Sequence, residues 1–171
     1  MRSYLKTCWR TGISGRRTWQ WVGYGTVSYL RRETVDGRVD CSFIMAKSGT
    51  APLQFVSVPR LELQAATIAV RMHPLILKEI DLVMSATFFW TDSKITLQYI
   101  NNETRRFKTY VNNRVAEIRD ASQLCQWRHC PGSLNPADEA SRGISAQQFL
   151  TDERWLAMFW NWGSSRRRPK T

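Results

Sequence analysis

The spacing of hydrophobic and polar positions changes character near residue 23. Before it, residues 1–22 mix tryptophan with arginine, and Gly12 and Gly15 interrupt the run, so neither the strand period of two nor the helical period of 3.6 emerges. From Gly23 the pattern is orderly. Tyr24 to Leu30 is rich in strand formers, Asp36 and Gly37 signal a turn, and Val39 to Ala46 supplies a second strand. An antiparallel hairpin is predicted there.

Lys47 to Val56 reads as a connecting loop punctuated by Gly49 and Pro52. Ser57 is a candidate cap for a helix in which Leu61, Ala65, Ile68 or Ala69, and Met72 recur at helical spacing, with Pro59 acceptable in the first turn. Pro74 is expected to kink or end it. Ala86 to Trp90 suits a strand buried on both faces, and Ser93 a cap for a helix to about Asn101. Val111, Val115 and Ile118 place a further helix over 110–121, Gln126 to Cys130 reads as a strand, and Asn135 to Arg142 opens a short helix. Phe149 to Trp162 is apolar and aromatic, as expected of a helix packing back on the body. A hairpin followed by alternating helices and strands implies an α/β domain with a mixed sheet.

Composition changes this picture little. A chain of 171 residues with 43% hydrophobic residues can bury one core, and no apolar run is long enough to span a membrane. An arginine-rich, acid-free start resembles a transit peptide in charge, but Trp9, Trp19 and Trp21 fit such a segment poorly. The net charge of +11 suggests a polyanionic partner, yet the excess sits at the ends. Residues 1–32 and 163–171 hold eleven cations and no acid, whereas residues 33–162 carry fourteen basic and fourteen acidic residues. Such ends predict weak, salt-sensitive contact with nucleic acid whatever the core does. Cys8, Cys41, Cys125 and Cys130 form no CxxC pair. Free thiols are expected, because His129 and Cys130 are adjacent and a strand would point them to opposite faces.

Three acids stand out by context. Glu62 lies near the start of the apolar helix, Asp92 ends the apolar strand, and Asp138 opens the late helix. Ligands in open α/β sheets gather at the carboxyl ends of parallel strands, and converging carboxylates there hold divalent metals for phosphoryl transfer. Taken singly each acid has a plainer role: Asp92 with Ser93 as a helix-capping pair, Glu62 and Asp138 as complements to a helix dipole. Arg105, Arg106 and Lys108 around Phe107 are candidate nucleic-acid contacts or a solvated loop.

The order of these motifs carries a resemblance. Gly23-Tyr24-Gly25-Thr26-Val27-Ser28-Tyr29-Leu30-Arg31, Met45-Ala46-Lys47-Ser48, Pro59-Arg60-Leu61-Glu62-Leu63-Gln64-Ala65-Ala66 and Phe89-Trp90-Thr91-Asp92-Ser93 come first. They are followed by Asn113-Arg114-Val115-Ala116-Glu117-Ile118, Gln126-Trp127-Arg128-His129 and Asn135-Pro136-Ala137-Asp138-Glu139-Ala140-Ser141-Arg142-Gly143. Over roughly residues 23–160 the chain resembles the RNase H-like domain of BEL/Pao-type LTR retrotransposon polyproteins. The resemblance implies a mixed sheet with flanking helices and hydrolysis of RNA in RNA–DNA hybrids by two Mg²⁺ (or Mn²⁺) ions. Glu62, Asp92 and Asp138 match three of the four metal-binding positions. Implied partners are the hybrid or other nucleic acid, and the reverse transcriptase or integrase regions of a parent polyprotein, with no membrane. Cytoplasmic particles follow only if such an element is expressed.

The departures weigh as much. The resemblance implies an aspartate on the first strand about seven residues before Gly25, which reaches Thr18, and no acid precedes Glu33. We therefore expect the first strand to be degraded or missing. The domain is expected to comprise a poorly ordered, non-family segment 1–22, the RNase H-like body 23–162 and a basic tail 163–171. A loop histidine common in such enzymes is also not evident; Ser133 occupies the loop, and His129 falls earlier, on the predicted strand. The expectation is a catalytically impaired domain, the alternative being a non-catalytic nucleic-acid-binding or polyprotein scaffold module.

Overall fold

The computed structural model describes residues 2–14, 21–50, 56–104, 106–132, 135, 137, 145 and 147. The predicted hairpin forms from β2 (Trp21–Glu33) and β3 (Val39–Thr50), paired antiparallel. Its turn depends on Gly37, whose φ of 83° lies in the left-handed region that a Cβ disfavours. Thr34 closes the loop, its Oγ1 donating to the Arg38 carbonyl at 3.1 Å.

The expectation of a missing first strand is corrected. Residues Arg2–Ser14 form β1, which pairs antiparallel with β2 from Arg2↔Glu33 to Ser14↔Trp21 and parallel with β4 (Met84–Thr91) from Ser3↔Met84 to Trp9↔Thr91. A central strand satisfies its backbone groups on two neighbours at once, and those ladders depend on peptide groups rather than on apolar alternation. With β5 (Trp127–His129) parallel to β4, the described sheet has the order β3-β2-β1-β4-β5.

Helix α1 (Val58–Glu79) begins as predicted at Ser57 and Pro59, although the Ser57 hydroxyl makes no capping bond. It buries Leu61, Leu63, Ala65, Ala66, Ala69, Val70, Met72 and Ile76, a stripe at helical spacing. Pro74 does not end it. The ring removes one backbone donor, but it lies on the exposed side, and Met72 and Ile76 hold their turns against Ile44, Ile68, Ile80 and Met84.

Helices α2 (Lys94–Asn101) and α3 (Thr109–Ala121) follow. The core unites Leu63, Ala66 and Val70 of α1 with Ile100 of α2, Val111, Val115 and Ile118 of α3, and Phe89 and Trp127 of the sheet. Phe89 and Trp127 stack with centroids 4.9 Å apart, which fixes β4 against β5. Arg71 of α1 bridges to Glu117 of α3 through two bonds of 2.5 and 3.0 Å. The bridge holds the Glu117 carboxyl below, and the Arg71 guanidinium above, their ordinary values. Among the described residues, Cys41, Cys125 and Cys130 form no disulfide, and His129 is exposed while Cys130 is buried. Among the described residues, no helix is long and apolar enough to cross a membrane. The predicted helices over 135–142 and 149–162 fall almost wholly outside the described residues.

Candidate active site

Two of the three predicted acids meet at the ends of β4 and α1. Burial of Leu61, Leu63 and Ala65 orients α1 so that Glu62 lies half-buried between them. Asp92 follows β4, whose Thr87, Phe89 and Thr91 are buried, so the strand delivers the carboxylate to its C-terminal end. Ser93 joins the two. Its Oγ donates to Glu62 Oε2 at 2.6 Å and accepts from Thr96 N at 3.1 Å, so one hydroxyl caps α2 and holds Glu62. The turn between is fixed by Ser93 N donating to Thr91 Oγ1 at 3.0 Å.

Asn135 secures the other carboxylate. The chain leaves β5 alongside β4, Cys130 N donating to the Thr91 carbonyl at 2.7 Å. Five residues on, Asn135 is 3% exposed and its Nδ2 donates to Asp92 Oδ1 at 3.3 Å. Its own Oδ1 accepts from Ala137 N at 3.2 Å, so the side chain cannot swing away without losing a second bond. Sequence reasoning missed this residue; the signal available was an asparagine three positions before the candidate Asp138. Asp138 itself lies outside the described residues.

The position where a further carboxylate is implied can be read from the register. The parallel register ends at Trp9↔Thr91, one residue before Asp92, and the next residue of β1, Arg10, pairs with Gly25 of β2. Thr18, reached by counting back along the sequence, lies outside the described residues. Neither β1 nor the part of β2 before Glu33 supplies an acid. Among the described residues no three His, Cys, Asp or Glu side chains are grouped to hold a metal. Glu62 and Asp92 are the carboxylates among the described residues that a metal site here would draw on. Of the predicted nucleic-acid contacts, Arg106 and Lys108 are exposed just before α3, and Arg105 lies outside the described residues.

Comparison with known proteins agrees with the geometry. Residues 21–93 match the family model described as the Pao retrotransposon-like RNaseH-like domain. No curated protein matches the chain. Among solved structures, it is similar to RNase H1 from the halophilic archaeon Halobacterium salinarum NRC-1. That likeness has a TM-score of 0.54 and 13% identity, covering 81% of this chain and 93% of the other. It is also similar to LC11-RNase H1 in complex with RNA/DNA hybrid, with a TM-score of 0.52 and 13% identity, over 82% and 93%. At such identities the likeness shows the fold, which is that of RNase H.

Proposed function

We propose that this RNase H-like domain of the Pao retrotransposon type binds RNA–DNA hybrid without cutting it. The observation that carries the reading is that no acid precedes Glu33, where the resemblance calls for a carboxylate on the first strand. In enzymes of this fold two divalent ions activate a water and stabilise the leaving oxygen. Removing one shared carboxylate lowers the affinity of the place for cations. Glu62, Asp92 and Asp138 then persist as a remnant metal set rather than a working one.

Binding needs none of these acids. Basic ends contribute a sequence-independent, salt-sensitive attraction, and exposed Arg106 and Lys108 add charge beside α3. The hybrid is the preferred ligand because a solved protein of this fold holds RNA/DNA hybrid, and shape with 2′-hydroxyl contacts distinguishes hybrid from DNA duplex. The test is fluorescence anisotropy with labelled hybrid and labelled DNA duplex of one sequence, in EDTA. Tighter binding of the hybrid is expected. Equal affinity for both duplexes leaves only the basic ends and contradicts the reading.

A further inference from the structure

Along the seam between α1 and α3, cations are treated in two ways. Arg71 has Glu117 as a bidentate partner. Nearer the start of α3, Arg60 and Arg114 both stack on the ring of Tyr110, their guanidinium carbons 5.3 and 4.9 Å from its centroid. Tyr110 Oη donates to Gln64 Oε1 at 3.2 Å, and Arg114 Nε donates to the same oxygen at 3.1 Å. All four side chains are half-buried. Among the described residues Arg60 has no carboxylate or carbonyl acceptor, and Arg114 spends only Nε. The nearest acid on α3, Glu117, acts on Arg114 through space, but Arg71 already engages both its oxygens. The first turn of α3 has no acid.

Two guanidiniums set over one ring repel each other, and half-burial reduces the water that would screen them. Fixed in this way they also lose little entropy on meeting a partner, and their remaining N–H groups form the fork that matches phosphate oxygens. From this we infer that Arg60, Tyr110 and Arg114 form a phosphate-binding site for the sugar–phosphate backbone of a nucleic-acid strand. The inference rests on the hybrid-binding reading and adds to it a specific point of grip. Exposed Arg106 and Lys108, just before α3, lie in chain order beside it and extend the positive surface.

The site is tested by anisotropy titration of the full chain against short labelled hybrid at a series of salt concentrations in EDTA. Native protein is compared with R60Q/R114Q, with R60K/R114K, and with K78Q as a single-charge control at the far end of α1. Each lost phosphate contact lowers the slope of log K against log salt by about 0.9, so the double glutamine variant should lose roughly two. The lysine pair keeps the charge but loses the stacked fork. It should bind several-fold more weakly with the native slope, and it serves alone if circular dichroism shows the glutamine pair unfolded. K78Q should bind as native. Native protein that binds hybrid while both double variants bind it equally well, with unchanged slopes, overturns the site alone. Native protein that does not bind hybrid overturns the function on which it rests.

Discussion

Ser93 and Glu62 are joined by a hydrogen bond of 2.6 Å from a hydroxyl that also caps α2. The carboxylate is thereby tied to the chain that follows Asp92, and α1 to the start of α2. A bond to a charged acceptor together with an N-cap makes Ser93 worth more than either role alone.

Ser93→Ala should therefore destabilise the fold by about 2 kcal/mol, which lowers Tm by roughly 4–8 °C for a chain of this size. Ser93→Thr keeps the hydroxyl and should recover most of the loss. Thermal unfolding followed by circular dichroism decides it; a Ser93→Ala midpoint equal to the native one contradicts the dual role.

His73 supplies a pH dependence. Its ring lies edge-on to Phe89 at 5.7 Å, Nδ1 is buried with no partner, and burial pushes its pKa below the ordinary histidine value. The unfolded chain therefore holds the proton more tightly than the folded one. Stability is complete above the unfolded pKa and falls as pH drops through about 6.5 toward the folded value. His73→Met removes the titration. Urea midpoints at about pH 5 and 7.5 should differ less in the variant than in the native protein.

The Arg71–Glu117 bridge should matter little despite its two bonds. Arg71 is 57% exposed, so Glu117→Gln is expected to cost no more than about 1 kcal/mol at neutral pH. Because the bridge depresses the Glu117 pKa, its contribution is present above the ordinary carboxylate range and is lost as pH falls through the depressed value. Native and variant stabilities should therefore converge in acid, as urea unfolding at low pH can check.

The register of β1 makes its own prediction. Arg10→Asp places a carboxylate on β1 one residue past the Trp9–Thr91 pair and should create measurable Mn²⁺ binding where the native chain shows little. Trp9→Asp, one position earlier along a strand in which successive side chains alternate, should not. Titration calorimetry compares them, and equal Mn²⁺ affinity in native protein and Arg10→Asp contradicts the register.

Local pattern revealed the hairpin, α1, α2 and α3, because each hides one side of a regular repeat and carries its own punctuation. Leu61, Ala65 and Met72 marked α1, and Val111, Val115 and Ile118 marked α3. The strand β1 escaped notice since a central strand is held by ladders to residues 21–33 and 84–91, and nothing within Arg2–Ser14 announces partners so distant. Pro74, expected to kink or end α1, does not end it, because a local breaker is overridden when buried residues on either side are anchored. Glu62 and Asp92 stood out by their contexts and stand as proposed members of the site. Asn135 and the Arg60–Tyr110–Arg114 cluster did not stand out, because their roles arise only when separate elements meet. Asp138 and Arg105 lie outside the described residues and stand as proposed members of the site and of the nucleic-acid surface.

The central claim is that the fold grips hybrid but does not cut it. The most direct measurement incubates the purified chain with labelled RNA–DNA hybrid in Mg²⁺ and then in Mn²⁺, beside Asp92→Asn. Intact RNA is expected in every lane, from a folded protein that still shifts the hybrid. Cleavage by the native chain that disappears in Asp92→Asn would mean that another group replaces the missing carboxylate, and it would contradict the account.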